Sequence, residues 1–564
     1  MMGKAGSMGK KSRGMIGTIA VMLMLAGLLT AMIQAVYTLP MPKLITIEGA
    51  AYYQGAMTIL LVVMAATQLA IPHALGQQFR QRVVQGDTEG TVALFYRAWI
   101  ALSVLGLVLA AVLYFSASPI SNGMGLSSGV VTKTVENAEL ANNVKSSEVG
   151  FSSVLRTAAI FVVLSFSLSA LRAYFNGLRS AMPTMLAGFV GQLVKLIFGL
   201  ILAGRWARED ALQGAVGALA GVAIGEATTL LLLIVLYVMN FDHHELMRYR
   251  DRYDGSATDP NRDLAQGLLQ SLFAFFGVMA LPLCALIDAF QITPRLMEMG
   301  FSGLDAIEGY GIYAAVAAPI ALFIPIFAYS LSESIAGNAY ERTVRKRFSE
   351  LRSMTASLST IAIVLGIGMI GLCIVSGNQL LTQSYGSTLS LEAGKLETTQ
   401  TILLLLVVGA AFSILGMMSA ATLLGMQRSP AAVLVSIFTL LVKWISTAML
   451  IGKDEINVLG AAFSTMLAAI VYAVLNAIFV WQYSGVRSRI AVQIIRPLLV
   501  GVLATLICWL LFDHVLVETL AERAALALWL RIGSFVLLYG GGCVLLRAIR
   551  NENWENIPFY SIPH

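Results

Sequence analysis

Long apolar runs separated by short polar segments follow one another along most of the chain. Each run is about as long as the roughly 20 residues that a helix needs to cross the hydrocarbon core of a bilayer. The pattern therefore predicts an all-α polytopic membrane protein with about 14 transmembrane helices. The runs cover residues 15–36, 51–75, 92–115, 154–176, 183–204, 215–239, 267–291, 306–332, 355–376, 398–424, 431–451, 457–481, 493–512 and 526–548.

Composition supports a membrane protein and gives its expected orientation. Of the 564 residues, 58% are hydrophobic and 12% are charged, whereas soluble domains carry about 25% charged residues. The net charge of +6 does not indicate nucleic-acid binding, because the cations concentrate in alternate loops. The two tails and every second loop hold 21 Lys and Arg residues, and the other loops hold nine. The positive-inside rule then predicts a multi-pass membrane protein with both termini cytoplasmic.

One apolar run, Pro183–Gly204, carries a charge well inside its length. Lys195 lies there, and Gly191, Gln192 and Gly199 share its side of the predicted helix. A lysine at that depth is costly and usually faces a protein interior or a watery cavity. It could be a snorkelling or locally paired lysine beside glycines that allow close helix packing. The alternative is that Lys195 lines a substrate cavity.

A second copy of this stretch favours the cavity. Residues 429–450 repeat Leu193-Val194-Lys195 as Leu441-Val442-Lys443, and Gly425 precedes the second copy as Gly177 precedes the first. All these pairs are 248 positions apart, which indicates an internal duplication. Many transporters consist of such repeats, with the substrate site between them.

Signatures of enzymes and metal sites are absent from the sequence. The four cysteines, Cys284, Cys373, Cys508 and Cys543, are scattered in apolar segments and form no CxxC or Cys/His cluster. The chain contains no P-loop, HExxH or GxSxG motif. We therefore expect a transporter rather than an enzyme, with no cofactor and no metal site. The coupling ion, H⁺ or Na⁺, is not identified by the sequence.

Several motifs resemble a known family. Tyr37-Thr-Leu-Pro40 is followed by Glu48-Gly-Ala-Ala-Tyr-Tyr-Gln54, and Gln68-Leu-Ala-Ile-Pro72 leads to Gly86-Asp87. Leu171-Arg172-Ala-Tyr-Phe-Asn-Gly177 with Pro183-Thr184 is the most specific match. Together with Leu286-Ile-Asp288, these motifs resemble the MOP flippase superfamily, and within it the SpoVB/YtgP/MurJ-like polysaccharide and lipid II flippases. One departure is that residues 34–40 contain no arginine, although relatives commonly carry arginines there.

The resemblance implies two six-helix lobes around an inter-lobe cavity, plus two C-terminal helices. The expected boundaries are a cytoplasmic tail at 1–14, an N-lobe at 15–240, a cytoplasmic linker at 241–265, a C-lobe at 266–484, and helices 13 and 14 with a cytoplasmic tail at 485–564. The implied function is translocation of an undecaprenyl-pyrophosphate-linked cell-wall precursor, lipid II or a related lipid-linked oligosaccharide, by alternating access. Cell-wall or division synthesis machinery would be a further partner. The main alternative is a cation-coupled multidrug exporter of the MATE type, and a third is a membrane scaffold for envelope synthesis.

A pyrophosphate headgroup needs cations or oriented backbone N–H groups. Arg172 and Arg97 lie near predicted cytoplasmic ends, where interfacial anchoring also explains them. The two intramembrane acids could pair with a lysine or bind a coupling cation, and the glutamines could meet sugar hydroxyls or make packing hydrogen bonds. The candidate cations are Lys195, Lys443, Arg172, Arg97 and Arg156, the acids are Asp288 and Glu226, and the glutamines are Gln34, Gln68 and Gln192.

Overall fold

The computed structural model describes residues 29–30, 32–126, 150–178, 180–239, 259–389, 394–452, 457–485, 490–516 and 523–548. Across these ranges the regular structure is helical and contains no strand. The prediction of an all-α membrane protein is confirmed. The predicted tail 1–14 lies outside the described residues, as does the predicted linker 241–265 up to residue 258.

The first part of the chain begins with a helical stretch at 32–38. Its further helices are α1 (Met41–Leu44), α2 (Thr46–Met64), α3 (Ile71–Gln85), α4 (Thr88–Phe115), α5 (Ala117–Gly123), α6 (Phe151–Gly177), α7 (Ala181–Trp206), α8 (Ala211–Val238), α9 (Pro260–Val278), α10 (Ala280–Glu298) and α11 (Gly303–Gly311). A π-helical segment, Ala65–Ala70, joins α2 to α3.

The second part begins with another π-helical segment, Ile312–Ala317. It continues with α12 (Ala318–Ala321), α13 (Phe323–Val344), α14 (Phe348–Leu389), α15 (Lys395–Gly425), α16 (Ser429–Ile451), α17 (Asn457–Ser484), α18 (Ile490–Leu510) and α19 (Ala524–Leu545). A third π-helical segment, Leu511–Val515, follows α18.

Eleven helical passages in the described residues are long and apolar enough to cross a membrane. A twelfth is the pair α9 and α10, which together pass the same test but bend by 63° at their junction. The predicted first run, 15–36, lies largely outside the described residues, and the predicted run 306–332 is divided among α11, a π-helical segment, α12 and α13. The figure of fourteen spans stays a prediction.

The chain forms two compact units. Within the described residues, one comprises those up to 316 together with 447–452 and 457, and the other comprises those from 317 to 446 and from 458 to 548. The first unit therefore takes in α9 to α11, which follow the predicted linker. The lobe boundaries at 240 and 266 stay a prediction.

Polar residues mark several helix starts in the first unit. The Asp87 carboxylate accepts a hydrogen bond from the Gly90 backbone N–H at the start of α4, and Asp259 accepts one from the Asn261 N–H at the start of α9. Each carboxylate satisfies a donor that the first helical turn would leave unpaired. Gly86, with φ +81°, ends α3 in the left-handed conformation that favours glycine. The Gly86-Asp87 pair thus ends one helix and starts the next.

The local structure at the repeated glycines supports the duplication. α6 ends at Gly177 and α7 starts at Ala181, while α15 ends at Gly425 and α16 starts at Ser429. A Cβ on Gly177 would overlap a side chain of α3, and one on Gly425 would overlap a backbone carbonyl of α13. Each glycine therefore permits the same kind of close helix approach in its own half.

The π-helical segments extend the duplication toward the N-terminal side of each half. Ala65–Ala70 precedes Pro72, and Ile312–Ala317 precedes Pro319. Each proline stands two residues after its segment, and the two prolines are 247 positions apart. Proline and π turns both interrupt the regular helical hydrogen-bond ladder. The two halves therefore share an irregular feature as well as a lysine.

Candidate functional site

Lys195 lies in the middle of α7 and is 6% exposed. α8 approaches α7 closely on this side, because a Cβ on Gly225 would lie 2.6 Å from the Lys195 Cβ, and one on Gly221 would overlap the Gly199 Cα. Small residues of this kind let membrane helices pack backbone to backbone. The close approach encloses the lysine stem and fixes the direction in which its ammonium points.

The ammonium of Lys195 has neutral direct partners. It donates to the Gln34 Oε1 at 2.5 Å and to the Gln192 Oε1 at 3.4 Å. It also lies 4.8 Å from the centroid of the Tyr37 ring, a cation–π contact worth about 2 kcal/mol when desolvated. Both glutamines are partly exposed. The direct partners of the ammonium are thus polar groups that can accept hydrogen bonds but carry no charge.

Tyr37 is a site residue that the sequence analysis quoted only as part of a motif. Its ring is fully buried, and its hydroxyl donates to the Ala218 carbonyl on α8 at 2.7 Å. Gln34 and Tyr37 are three residues apart within the helical stretch 32–38, so their side chains lie on one face and both reach Lys195 on α7. That spacing was the signal in the sequence for their shared contact with Lys195.

Glu226 and Arg172 bring two further charges to this region. The Glu226 Oε1 accepts from the Arg172 Nη2 at 3.4 Å, and the two side chains are 7% and 16% exposed. The Glu226 carboxylate also interacts electrostatically with the Lys195 ammonium. The Arg172 Nη1 is buried and has no hydrogen-bond acceptor among the described residues. α6, α7 and α8 therefore bring together two cations and one carboxylate, which we call the Lys195 cluster (Lys195, Arg172 and Glu226).

Lys443 occupies the equivalent position in α16, but its surroundings differ. It is fully buried, and its ammonium donates to the Ser464 Oγ at 2.8 Å, the Thr465 Oγ1 at 2.6 Å and the Ala461 carbonyl at 3.4 Å. These three acceptors all belong to α17. The Lys443 ammonium thus connects α16 to α17. Contact between Lys443 and substrate stays a prediction.

The other two candidate cations lie apart from the Lys195 cluster. The Arg97 Nη1 lies 3.4 Å from the Asp259 carboxylate, and the two side chains are 43% and 63% exposed. Arg156 is exposed, with its guanidinium 5.5 Å from the Tyr114 ring centroid. Among the described contacts, neither arginine touches the buried lysine.

The remaining candidates are also separate. Asp288 on α10 is buried and accepts from the Tyr313 hydroxyl at 2.7 Å. Gln68 lies in the π-helical segment Ala65–Ala70 and is partly exposed. Of the ten candidates, the described contacts unite five around one charge: Lys195, Gln34, Gln192, Glu226 and Arg172.

A buried ion-pair network on the same unit involves Arg82, one of the 21 Lys and Arg residues counted in the tails and alternate loops. Arg82 is 2% exposed and lies 2.5 Å from the Asp87 carboxylate and 2.7 Å from that of Asp263. It links α3 to the start of α4 and to α9. Nearby, the Gln78 Nε2 donates to the Gln270 Oε1 at 3.1 Å. These contacts hold α9, the first helix of the bent pair, against α3.

The Lys195 cluster has the chemistry of an anion site. An ammonium and a guanidinium in a low-dielectric setting attract phosphate more strongly than they would in bulk water. In the part of the chain that the structure describes, no group of three or more His, Cys, Asp or Glu side chains could hold a metal ion. A multi-pass helical protein with a duplicated helix pair and such a buried charge cluster has the architecture of a membrane transporter.

Comparison with curated proteins gives the more particular class. Lipid II flippase MurJ of Bacillus subtilis (strain 168) is 21% identical over 549 residues, which cover 90% of this chain and 91% of that protein. Stage V sporulation protein B of the same organism is 19% identical over 468 residues, 83% of this chain and 84% of that protein. No protein-family model matches the chain.

Solved structures share the fold. The inward closed conformation of lipid II flippase MurJ has a TM-score of 0.61 at 13% identity and covers 94% of this chain and 99% of that one. An inward-facing multidrug resistance MATE family transporter of the MOP superfamily has a TM-score of 0.55 at 14% identity, with 81% and 98% covered. The chain is therefore similar to MurJ and SpoVB along most of its length and has the MOP-type fold. The predicted resemblance is confirmed, and a flippase and a transporter are among these relatives, in agreement with the prediction of a transporter rather than an enzyme.

Proposed function

We propose that this protein is a flippase that moves an undecaprenyl-pyrophosphate-linked cell-wall precursor, lipid II or a related lipid-linked oligosaccharide, across the cytoplasmic membrane. The observation that carries the proposal is the Lys195 cluster, in a chain that aligns with a lipid II flippase over 90% of its length. Lys195 and Arg172 bind the pyrophosphate in this proposal, while Gln34 and Gln192 adjust their hydrogen bonds to it.

Transport follows alternating access in this proposal, with the Lys195 cluster open to the two sides of the membrane in turn. Both termini lie in the cytoplasm, as the 21-to-9 distribution of Lys and Arg over the loops supports. Ion gradients, membrane potential or substrate supply provide the energy. Envelope-synthesis enzymes that make or consume the precursor are the protein partners in this view.

A MATE-type exporter of cationic drugs is the second candidate, since the MATE fold matches this chain with a TM-score of 0.55. Such a cargo would favour carboxylates in its binding site. In the Lys195 cluster cations outnumber carboxylates by two to one, and the duplicated position holds a further lysine. The sign of the charge therefore favours an anionic cargo.

Purified protein in liposomes tests the proposal against this alternative. Labelled lipid II is placed in one leaflet and its appearance in the other is measured, and efflux of a cationic dye is measured in parallel. Lipid II movement without dye movement is expected. Dye export without lipid II movement would refute the flippase and support the exporter, and movement of neither would refute both.

A further inference from the structure

We infer that Glu226 is an internal substitute for the anionic group of the cargo, which holds Lys195 and Arg172 in place between transport cycles and limits how tightly cargo binds. The inference deepens the proposed function and rests on it for the nature of the cargo. It makes Glu226 a specificity-determining residue of the Lys195 cluster.

The first step is the position of the carboxylate. Glu226 is 6% exposed on α8, pairs with Arg172 on α6 at 3.4 Å, and directly follows Gly225, which packs against the stem of Lys195 on α7. A buried carboxylate is stable only if it is paired or hydrogen-bonded. Glu226 therefore offsets the positive charge of these two cations, as a bound anion would, and the two cations act as its counter-ions.

The second step is the charge balance. Lys195, Arg172 and Glu226 together carry one net positive charge, and the Arg172 Nη1 is buried without an acceptor in the described residues. One cationic donor group is thus still available when Glu226 is in place. A polyvalent anion can bind there. If it contacts both terminal nitrogens of the Arg172 guanidinium, it competes with Glu226 for the Arg172 Nη2.

The third step concerns the partners of Lys195. Its direct acceptors, the amide oxygens of Gln34 and Gln192, are neutral and partly exposed. Charge-assisted hydrogen bonds to phosphate are roughly twice as strong as neutral ones. An arriving phosphate can therefore replace an amide at the ammonium, while Glu226 repels that phosphate from the other side.

The consequence is a site that binds its cargo and still releases it. A translocation site must bind strongly enough for entry and weakly enough for exit. Without the carboxylate, Lys195 and Arg172 would both be free for the anion, and binding would tighten while release slowed. A purely structural role for Glu226 gives the opposite prediction, since loss of the ion pair would disorder the cations and weaken binding.

Anion binding to the purified full-length protein in nanodiscs of phosphatidylcholine provides the test, with inorganic pyrophosphate as the probe and calorimetry as the readout. We expect Glu226→Gln to bind pyrophosphate roughly tenfold more tightly than wild type, since a nearby repulsive charge has gone. Lys195→Gln should bind more weakly than wild type. Glu48→Gln is the matched control, because Glu48 bonds to Tyr52 away from the Lys195 cluster, and its affinity should not change.

Equal or weaker binding by Glu226→Gln, or no binding by either protein, overturns the inference. Glu226→Ala is a second neutral variant on a good helix former, and failure of both variants to fold would show that the carboxylate is structural and also overturn it. Lipid II transport by the wild-type protein in liposomes separates the two proposals. If Glu226→Gln binds pyrophosphate more tightly but the wild-type protein moves no lipid II, the flippase is refuted and the role of Glu226 in anion binding is intact.

Discussion

The duplicated lysines should respond differently to the same substitution, because their surroundings differ. Lys195→Gln removes a charge whose direct partners are two partly exposed amides, and the new amide can still donate to one of them. Lys443→Gln removes a fully buried charge that bonds to two hydroxyls and a carbonyl of the next helix. We expect Lys195→Gln to lose transport with little loss of stability, and Lys443→Gln to lose stability.

The magnitudes follow from the bonds that are lost. Hydrogen bonds to a charged group contribute about 1.5–3 kcal/mol each. Lys443 has hydroxyl acceptors at 2.6 and 2.8 Å, so its loss should lower the free energy of unfolding by about 3 kcal/mol. The hydroxyls themselves still donate to the Ala461 carbonyl, which limits the cost. Lys195→Gln loses the cation–π contact with Tyr37, but its two partly exposed glutamine partners can bond to the new amide or to water, so it should cost about 1–2 kcal/mol of stability.

The transport effect of Lys195→Gln depends on a contact with the cargo. A charged contact with phosphate that is worth about 2–3 kcal/mol corresponds to a transport rate roughly 30-fold to 160-fold lower. Lys195→Arg should restore part of this rate, because it keeps the charge and changes the geometry. Lys195→Glu should be worse than Lys195→Gln, since it adds repulsion to a lost attraction.

Lipid II transport in liposomes and thermal unfolding in detergent are measured on the same preparations. A well-folded Lys195→Gln protein with the wild-type rate would refute the role of Lys195 in cargo binding. A Lys443→Gln protein with wild-type stability and impaired transport would refute the distinction and make both lysines cargo ligands. If instead each lysine only neutralises a buried acid, removal of that acid should restore function to the lysine variant.

Three further outcomes are expected. Gly177→Ala should lower the unfolding temperature, because its Cβ would overlap a side chain of α3, whereas Gly188→Ala should not, because nothing lies within 4 Å of a Cβ there; equal effects would refute the steric argument. Arg82→Met should destabilise by about 3–5 kcal/mol in denaturant unfolding, since it leaves two buried carboxylates without their cation, and a loss below 1 kcal/mol would contradict this. Cysteines introduced at the exposed Ser118 and Ser349 should react with an impermeant thiol reagent in intact cells at the first position only, and labelling of Ser349→Cys would overturn the proposed orientation.

Hydrophobic periodicity and glycine placement predicted most of the helices. The runs 183–204 and 431–451 agree with α7 and α16 to within a few residues, because an isolated apolar run of that length has few alternatives in a bilayer. Where the chain interrupts its own helix, the pattern was weaker. The run 306–332 is predominantly apolar, yet a π-helical segment and a short helix divide it. Hydropathy alone does not show such a change in the backbone hydrogen-bond pattern.

In the candidate site, only contacts between residues of the same helix were predictable from the sequence. Lys195 and Gln192 share one turn of α7, so spacing alone places them together. The Arg172–Glu226 pair joins residues 54 positions apart, and the separate hydrophobic patterns of α6 and α8 give no register between those helices. The sequence therefore predicted that Lys195 and Glu226 lie within the membrane and left interfacial anchoring open for Arg172, while the choice of partner depended on how the helices pack.

The difference between the two lysines shows how a duplication can diverge without losing its backbone. Both halves keep a glycine at the end of one helix and a lysine near the middle of the next. Around Lys443 the following helix supplies hydroxyls, whereas in the first half α8 supplies a glycine opposite the lysine and a glutamate one residue later. A hydroxyl can accept from an ammonium without changing the net charge, but a glutamate shared with Arg172 makes a site whose charge responds to an anion. The same buried cation can thus stabilise a helix pair in one half and bind cargo in the other, and the residues of α8 and α17 determine which role it takes.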